Sequence, residues 1–522
     1  MWARHRLEWI TALVAVILGV GYLLLPPMGS DLAAQVARAG FFAEHGTTPV
    51  DLRWYAGVEQ FGYSLVSQPV MALLGVRAAG VLTLVAGPVL LAVLFRRTGA
   101  ARPGLGAAFG VAAFAGNLVS GRVTYGIGVC LGIAALVLLT VPRLRRLAAV
   151  AAFLASATSP VAGLFTGLAG VALLACRRFG DGLLLAVPAA APLALTALLF
   201  GDGGWMNIGR TDTVRAVVTG LVVAVFVPLR PVRIGALLSS AGVLAAALIH
   251  TPVGLNATRL AVMFGLPALA AYATLPRLPT GRTAAAGNRR MPLVALVALL
   301  AVTFWWQPPV VLDDVRDIGN PTADPAYFAP LRQRLAAERL TGRVEIPPTR
   351  SYWESAHMGE IPLARGWLRQ ADIDRNPLFF TRVPGAAGTG VQLTPDGYRA
   401  WLAEQAVQFV AVPDAELAWP GRAEARMVTA GLPYLSLVWT DAHWRLYAVA
   451  DPQPIVAAPA ALVGQDATTV IFDAPAAGEV AVRVRYHRWF TVSGGAEAGA
   501  DGDWTVVRVP AGGRYTLTSS LL

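Results

Sequence analysis

Residues 9–25 read WITALVAVILGVGYLLL, an apolar run without a charged side chain. A bilayer core about 30 Å thick takes roughly 20 such residues as a helix, so this run predicts a membrane span. Similar runs follow at 77–95, 104–119, 123–141, 147–175, 182–200, 214–229, 234–250, 258–275 and 292–307. A mean hydropathy of +0.57 with only 14% charged residues agrees with a multispan membrane protein.

The run 147–175 is interrupted by Ser159-Pro160, and it reads either as one span or as two short helices. Arginines flank it at 143–146 and at 177–178. Two helices folded at Pro160 return both groups to one side, which is the arrangement that the positive-inside rule favours. We therefore predict about 11 spans in the cell membrane, with the N-terminus cytoplasmic and the C-terminal part extracellular.

The charge is divided unevenly along the chain, which has no lysine and 42 arginines. Residues 1–307 carry 23 arginines and 8 acidic residues, and much of this excess lies in predicted cytoplasmic loops, including 277–290. Residues 308–522 carry 19 arginines and 23 acidic residues. The net charge of +11 is thus mainly a signature of topology, and a nucleic-acid partner is not predicted.

Three regions follow from these patterns. Residues 1–307 form an α-helical transmembrane domain with one long outer loop, 26–76. Residues 308–454 alternate helical and strand-like patterns, which predicts an extracellular mixed α/β domain. Residues 455–522 contain alternating strands with glycine-rich turns, typical of a small β-sandwich-like module.

Motifs for several common activities are missing from the sequence. No Walker A, HExxH, GxSxG or strand-linked GxGxxG pattern occurs, which leaves nucleotide-driven pumping, zincin chemistry and serine-hydrolase chemistry without support. Cys130 and Cys176 both lie in apolar runs, so we predict neither a disulfide framework nor a thiolate metal site.

The outer loop carries the first candidate residue. Asp31 opens an amphipathic pattern one turn beyond the first span, where its carboxylate is either a catalytic base or an ordinary helix N-cap. A second helix is predicted at about 56–75. Arg259 begins a span and would place a guanidinium at the membrane boundary, suited either to a lipid phosphate or to interfacial anchoring.

Further polar residues on the predicted outer face are candidates for substrate binding: Asn256, Asp51, Glu59, His45, Arg122 and Arg210. Each also has an ordinary interpretation, as a solvated charge, a structural histidine or a membrane anchor. Two aromatic and acidic groups, 352–354 and 365–374, fit either a sugar-binding surface or a tryptophan-rich core.

Several stretches together resemble the polytopic GT-C glycosyltransferases that use polyprenyl-phosphate-linked sugars. They are the loop Asp31-Leu-Ala-Ala-Gln-Val-Ala-Arg-Ala-Gly, the segment Gly62-Tyr63-Ser64, the broken helix at 157–163 and the late Gly254-Leu-Asn-Ala-Thr-Arg259. The polar half is similar to actinobacterial multispan proteins. The resemblance implies that Asp31 is the general base and that Arg259 binds the carrier phosphate.

The function that the resemblance implies is transfer of a sugar from a polyprenyl-phosphate donor to a glycan or lipid acceptor of the cell envelope. Many family members have two adjacent acids where this chain has Asp31-Leu32. No metal ligands are assigned, and a divalent metal is left open as the only cofactor. A lipid or glycan transporter or flippase, and an envelope scaffold protein, are the alternatives.

Overall fold

A computed structural model describes residues 5–201, 203–274 and 291–521. The arginines predicted to be cytoplasmic between 277 and 290 lie outside these ranges. The helices of the first 307 residues are α1 (Arg6–Leu24), α2 (Leu32–His45), α3 (Ser67–Leu74), α4 (Val76–Arg97), α5 (Pro103–Val119), α6 (Val123–Leu139), α7 (Leu147–Thr158), α8 (Pro160–Ala175), α9 (Phe179–Leu199), α10 (Arg210–Phe226), α11 (Arg230–Leu248), α12 (Arg259–Tyr272) and α13 (Met291–Trp306).

Apolar helices occupy each of the runs that the sequence marked as spans. Within the described ranges, five helical segments are long and apolar enough to cross a membrane, and five shorter apolar helices accompany them. Many of their large apolar side chains, such as Leu13, Leu198 and Val225, are exposed, as expected for residues that face lipid. The chain is a multi-pass membrane protein, while the count of 11 spans stays a prediction.

The run 147–175 is broken where the sequence indicated. α7 ends at Thr158, and Ser159 caps α8 by accepting a hydrogen bond from the Ala162 N–H through its hydroxyl. The two helices pack so closely that a Cβ on Gly163 would lie 2.8 Å from the Cα of Ser156. The single residue between them therefore joins two helices in contact, as the hairpin prediction requires.

The loop 26–76 holds α2, a short hairpin of β1 (Val50–Asp51) with β2 (Val58–Glu59), and α3. The helix predicted at 56–75 is wrong over its first half. Val58 pairs with Asp51 in the hairpin, and the Leu65 N–H donates to the Ala157 carbonyl, so tertiary hydrogen bonds override the local helical pattern.

The polar half begins with short helices and one mixed sheet. Its helices are α14 (Leu312–Val315), α15 (Ala329–Ala336), α16 (Glu354–His357), α17 (Arg369–Arg375), α18 (Pro395–Glu404) and α19 (Gly421–Ala430). The strands β3 (Arg343–Glu345), β4 (Val407–Pro413), β5 (Leu435–Thr440) and β6 (Trp444–Val449) lie in the order β3-β4-β6-β5. β3 is parallel to β4, and the other pairs are antiparallel.

Seven strands follow: β7 (Ala461–Gln465), β8 (Val470–Ala474), β9 (Gly478–Arg485), β10 (Phe490–Val492), β11 (Glu497–Asp501), β12 (Trp504–Val509) and β13 (Gly513–Ser519). They form a four-stranded sheet, β10-β13-β8-β7, and a three-stranded sheet, β11-β12-β9. Phe472, Val482 and Val507 belong to one buried apolar cluster that both sheets share, so the C-terminal region is β-rich, as predicted.

The outer loop connects all three regions. Val50 and Leu52 are buried in the apolar cluster of the two C-terminal sheets, and the Leu52 N–H donates to the Ala467 carbonyl. The Leu363 N–H of the mixed α/β region donates to the Arg53 carbonyl. The loop is therefore fixed on its polar side by both C-terminal regions.

Candidate functional site

Asp31 occupies the N-cap position of α2, but its carboxylate makes no capping hydrogen bond. Its Oδ2 instead lies 3.2 Å from the Arg122 Nε and 3.3 Å from the Arg259 Nη2. The three side chains are 14–23% exposed, so this ion-pair cluster is largely withdrawn from water. The structure thus brings together three of the candidate residues, two of them 228 positions apart in sequence.

The N-termini of α2 and α6 meet at this cluster. Asp31 precedes α2 and Arg122 precedes α6, whereas Arg259 follows a 3-10 turn, Gly254–Thr258, and its N–H donates to the Asn256 carbonyl. A helix N-terminus carries a partial positive charge, so a cation there is unfavourable unless an anion compensates it. The two guanidinium groups and the one carboxylate together carry a net charge of +1.

Backbone hydrogen bonds hold the chain just before α2. The Gly29 N–H donates to the Asp317 Oδ2 and the Ser30 N–H to the Asp314 Oδ1, each over 3.1 Å. The other oxygen of Asp314 accepts from the Ser120 hydroxyl at 2.5 Å. Two carboxylates from the segment after α13 therefore clamp the start of α2 against the end of α5.

The turn between α5 and α6 touches α2 directly. The Asp31 N–H donates to the Ser120 carbonyl over 3.1 Å. Gly121 has a φ of +74°, and a Cβ there would meet the Leu32 backbone nitrogen at 2.5 Å. Only glycine satisfies both the backbone conformation and the close approach.

One face of α2 extends the polar site. Gln35 and Arg38 follow Asp31 at helical spacing, and the Gln35 amide donates to the Tyr63 hydroxyl and accepts from the Thr124 hydroxyl. The Arg38 guanidinium lies 4.4 Å from the centre of the Tyr63 ring. Burial, followed by the nearby Asp31 carboxylate, raises the pKa of the Tyr63 phenol, so this group is a neutral hydroxyl at physiological pH.

Trp367 ties the mixed α/β region to the same place. Its indole Nε1 donates to the Ser30 carbonyl over 2.9 Å, and its ring lies edge-on to Tyr63 with 6.3 Å between centroids. The adjacent Gly366 accepts a 2.5 Å hydrogen bond from the Tyr55 hydroxyl. The site is therefore bordered by a membrane-side half and by a side chain of the polar half.

An apolar cavity of about 240 Å³ lies among α6, α8, α10, α11 and α12. Leu260, Ala261 and Phe264 line it, so its wall on α12 begins with the residue after Arg259. The remaining lining is almost wholly apolar, with the hydroxyls of Thr219 and Ser239 as its polar groups. A charged boundary and an apolar cavity thus adjoin on one helix.

Asp51 and Glu59 have other partners. The Asp51 carboxylate holds the Arg53 guanidinium through both oxygens, at 3.0 and 2.8 Å. The Glu59 Oε1 lies 3.3 Å from the His487 Nδ1. Both carboxylates are buried and fix the loop on its polar side, and their predicted role toward substrate stays a prediction.

His45 lies at the end of α2, beside two carboxylates. Its Nε2 is 3.4 Å from the Glu360 Oε1 and 3.9 Å from the Glu44 Oε2. Ligand atoms of these three residues lie within 4.8 Å of one another, a donor set that could hold a metal ion. The group lies at the opposite end of α2 from Asp31.

Asn256 and Arg210 are not placed against the Asp31 carboxylate by any hydrogen bond or ion pair in the described chain. The Asn256 side-chain amide contacts the Met206 sulfur at 3.3 Å. Arg210 is exposed at the start of α10, where its backbone N–H donates to the Gly385 carbonyl. Their roles in substrate binding also remain predictions.

The residues at Asp31 do not suit a divalent cation. The carboxylate already faces two guanidinium groups, and the neighbouring position is Leu32. Divalent ions require several oxygen ligands and a negative environment, which this donor set lacks.

The aromatic and acidic groups of 352–374 form a core rather than an exposed sugar-binding surface. Trp353 and Glu354 are buried. The Arg365 guanidinium donates from Nε and Nη2 to the two oxygens of the buried Asp372 carboxylate. The Arg365 guanidinium also lies 3.1 Å from Glu424. Trp367 is the partly exposed member that reaches the site.

The sequence did not mark Gln35 or Arg38 as site residues, and it indicated Trp367 only as part of the aromatic and acidic group 365–374. The spacing of 31, 35 and 38 is a helical signal that places an acid, an amide and a cation on one face of α2. Trp367 had no comparable signal, because its contact with Ser30 joins segments 337 residues apart.

Comparisons with known proteins give distant structural matches. The chain is similar to the structure of arabinofuranosyltransferase AftD from mycobacteria, with a TM-score of 0.47 and 17% identity, covering 90% of this chain and 41% of that one. A mutant structure of AftD matches with a TM-score of 0.47 and 13% identity over 99% of this chain and 60% of the other. The chain thus spans about half the length of these structures. No family model matches, and no curated protein matches.

Proposed function

We propose that the protein is a membrane glycosyltransferase that moves a sugar from a polyprenyl-phosphate donor to a glycan or lipid acceptor on the outer face of the cell membrane. The observation that carries the proposal is the ion-pair cluster of Asp31, Arg122 and Arg259. This cluster combines a carboxylate that can accept a proton with two guanidinium groups that can bind a phosphate.

The two arginines suit the departing phosphate. Guanidinium groups donate two parallel hydrogen bonds to phosphate oxygens, and the helix N-termini add to their attraction. Binding of the donor phosphate would draw the Arg122 and Arg259 guanidiniums away from Asp31 and leave this carboxylate available as a base.

The transfer requires only Asp31, Arg122 and Arg259 and the two substrates. Asp31 takes the proton of an acceptor hydroxyl, whose oxygen forms a bond to the anomeric carbon of the donor sugar. The bond between that carbon and the phosphate oxygen breaks, and polyprenyl phosphate leaves with the bonding electrons while Arg122 and Arg259 stabilise its charge. Attack opposite the leaving group inverts the anomeric configuration.

The apolar cavity supports a lipid-linked donor. Its wall begins at Leu260, next to Arg259, so an isoprenoid chain in the cavity could carry its phosphate at the guanidinium. Because an isoprenoid chain already lies in apolar surroundings in the bilayer, the cavity would hold it by close packing against Phe264 and the neighbouring helices.

The test is sugar transfer in membranes from cells that lack the protein, complemented with wild type or with Asp31→Asn. Loss of a general base typically reduces a rate by about 10²–10⁴-fold. Asp212→Asn is a matched control, because Asp212 is an exposed acid in the first turn of another helix, α10. Full activity of Asp31→Asn at equal protein level would exclude the assigned role.

A further inference from the structure

A groove of about 840 Å³ opens on the mixed α/β region, away from the Asp31 cluster. It lies where β4 ends and β6 begins, since Pro413 pairs with Trp444 at that edge of the sheet. The helix α19 forms one wall and the turn at 440–443 the other.

Three arginines line this groove from both walls. Arg422 and Arg426 are one turn apart on α19, and Arg445 lies on β6. All three are exposed. Like charges one turn apart on a helix repel each other, and an anion bound between them would relieve that repulsion.

The groove also contains two carboxylates, those of Asp414 and Asp441. The Asp414 carboxylate accepts a 2.6 Å hydrogen bond from the Tyr327 hydroxyl and lies 3.1 Å from the His443 Nδ1. The Asp441 Oδ1 accepts from the N–H groups of His443 and Trp444 and so shapes the turn. Hydrogen bonds from neutral donors leave a carboxylate charged, so the lining carries three guanidinium groups against two carboxylates, neither of which is paired with an arginine among the described residues.

The guanidinium groups of Arg426 and Arg445 are the most available donors. The Arg426 Nε donates to the Arg422 carbonyl, and its two terminal nitrogens have no hydrogen-bond partner among the described residues. The Arg445 side chain likewise has no hydrogen-bond or ion-pair partner in the described part of the chain. Arg422 is engaged by Glu416 at 3.4 Å.

We propose that this groove binds a ligand that carries oxyanions, either carboxylates or phosphates, through Arg426 and Arg445. The volume is large enough for a ligand of several ring units. The site is separate from the sugar-transfer chemistry proposed above, so either proposal can fail without the other.

Binding to the purified full-length protein in detergent tests the proposal by calorimetry, with trigalacturonate as the carboxylate probe, pyrophosphate as the phosphate probe and maltotriose as the neutral probe. We expect one of the anions to bind and maltotriose not to bind. Arg426→Gln and Arg445→Gln should each weaken binding about tenfold, since a hydrogen bond to a charged group contributes about that factor.

The control is Arg399→Gln, an exposed arginine on α18 that does not line the groove. It should leave the affinity unchanged. The anion that binds identifies the group recognised. Equal binding of maltotriose, undiminished binding by the Arg426→Gln, Arg445→Gln double variant, or binding of neither anion would overturn the proposal.

Discussion

Because Asp31 pairs with two arginines, loss of Asp31 should lower the unfolding free energy more than loss of one arginine. The nitrogen and oxygen atoms of each ion pair lie 3.2–3.3 Å apart, which corresponds to a Coulomb energy of about 5 kcal/mol at an effective dielectric constant of 20. Most of this energy is cancelled by the cost of removing both groups from water. Asp31→Asn leaves two guanidiniums facing each other. Arg259→Gln leaves Asp31 paired with Arg122. We therefore expect losses in unfolding free energy of about 2–3 kcal/mol for Asp31→Asn and about 1 kcal/mol for Arg259→Gln.

A double-mutant cycle measures this asymmetry. Urea unfolding in detergent micelles, followed by tryptophan fluorescence, gives the free energies of wild type, both single variants and the double variant. The double variant should lose less than the sum of the single losses, because Asp31→Asn removes the partner of Arg259. Equal losses for the two single variants, or strict additivity, would refute the shared ion pair.

Two further predictions concern stability elsewhere. Gly121→Ala should lower the unfolding free energy by more than about 1 kcal/mol in the same urea assay, because its Cβ would meet the Leu32 nitrogen at 2.5 Å, whereas Gly242→Ala, which meets nothing within 4 Å, should be neutral. Burial raises the pKa of Glu354 to about 7 despite a hydrogen bond from Thr349, so the contribution of Glu354 to stability should be greatest below about pH 4.5 and fall by up to about 3 kcal/mol as the pH rises to 7. Glu354→Gln should flatten that decline, and an unchanged pH profile in this variant would contradict the assignment.

The membrane half could be predicted well because its signal is local. Each apolar run is a helix, and Ser159-Pro160 breaks the long run since proline lacks an N–H and serine can cap the next helix. The parallel pairing of β3 with β4 could not be predicted, because their partner residues are more than 60 positions apart. A strand pattern indicates a strand but not its neighbour.

The sequence indicated individual residues of the candidate site, but not how they are arranged. Asp31 and Arg259 were notable because polar groups at the ends of spans are costly. Their contact depends on how α2, α6 and α12 pack, which no local pattern encodes. For the aromatic and acidic groups near Trp353, the sequence left a sugar-binding surface and a tryptophan-rich core open, because composition alone does not distinguish a buried ion pair from an exposed one.

The clamp on the start of α2 has a consequence for biosynthesis. Ser30 leaves the ribosome 284 residues before Asp314, the residue that binds its N–H. At about 5–20 residues per second, this interval lasts about 15–60 s. Throughout that time the Gly29 and Ser30 N–H groups lack the Asp317 and Asp314 carboxylates, so the start of α2 gains its final support only once the segment after α13 has been translated.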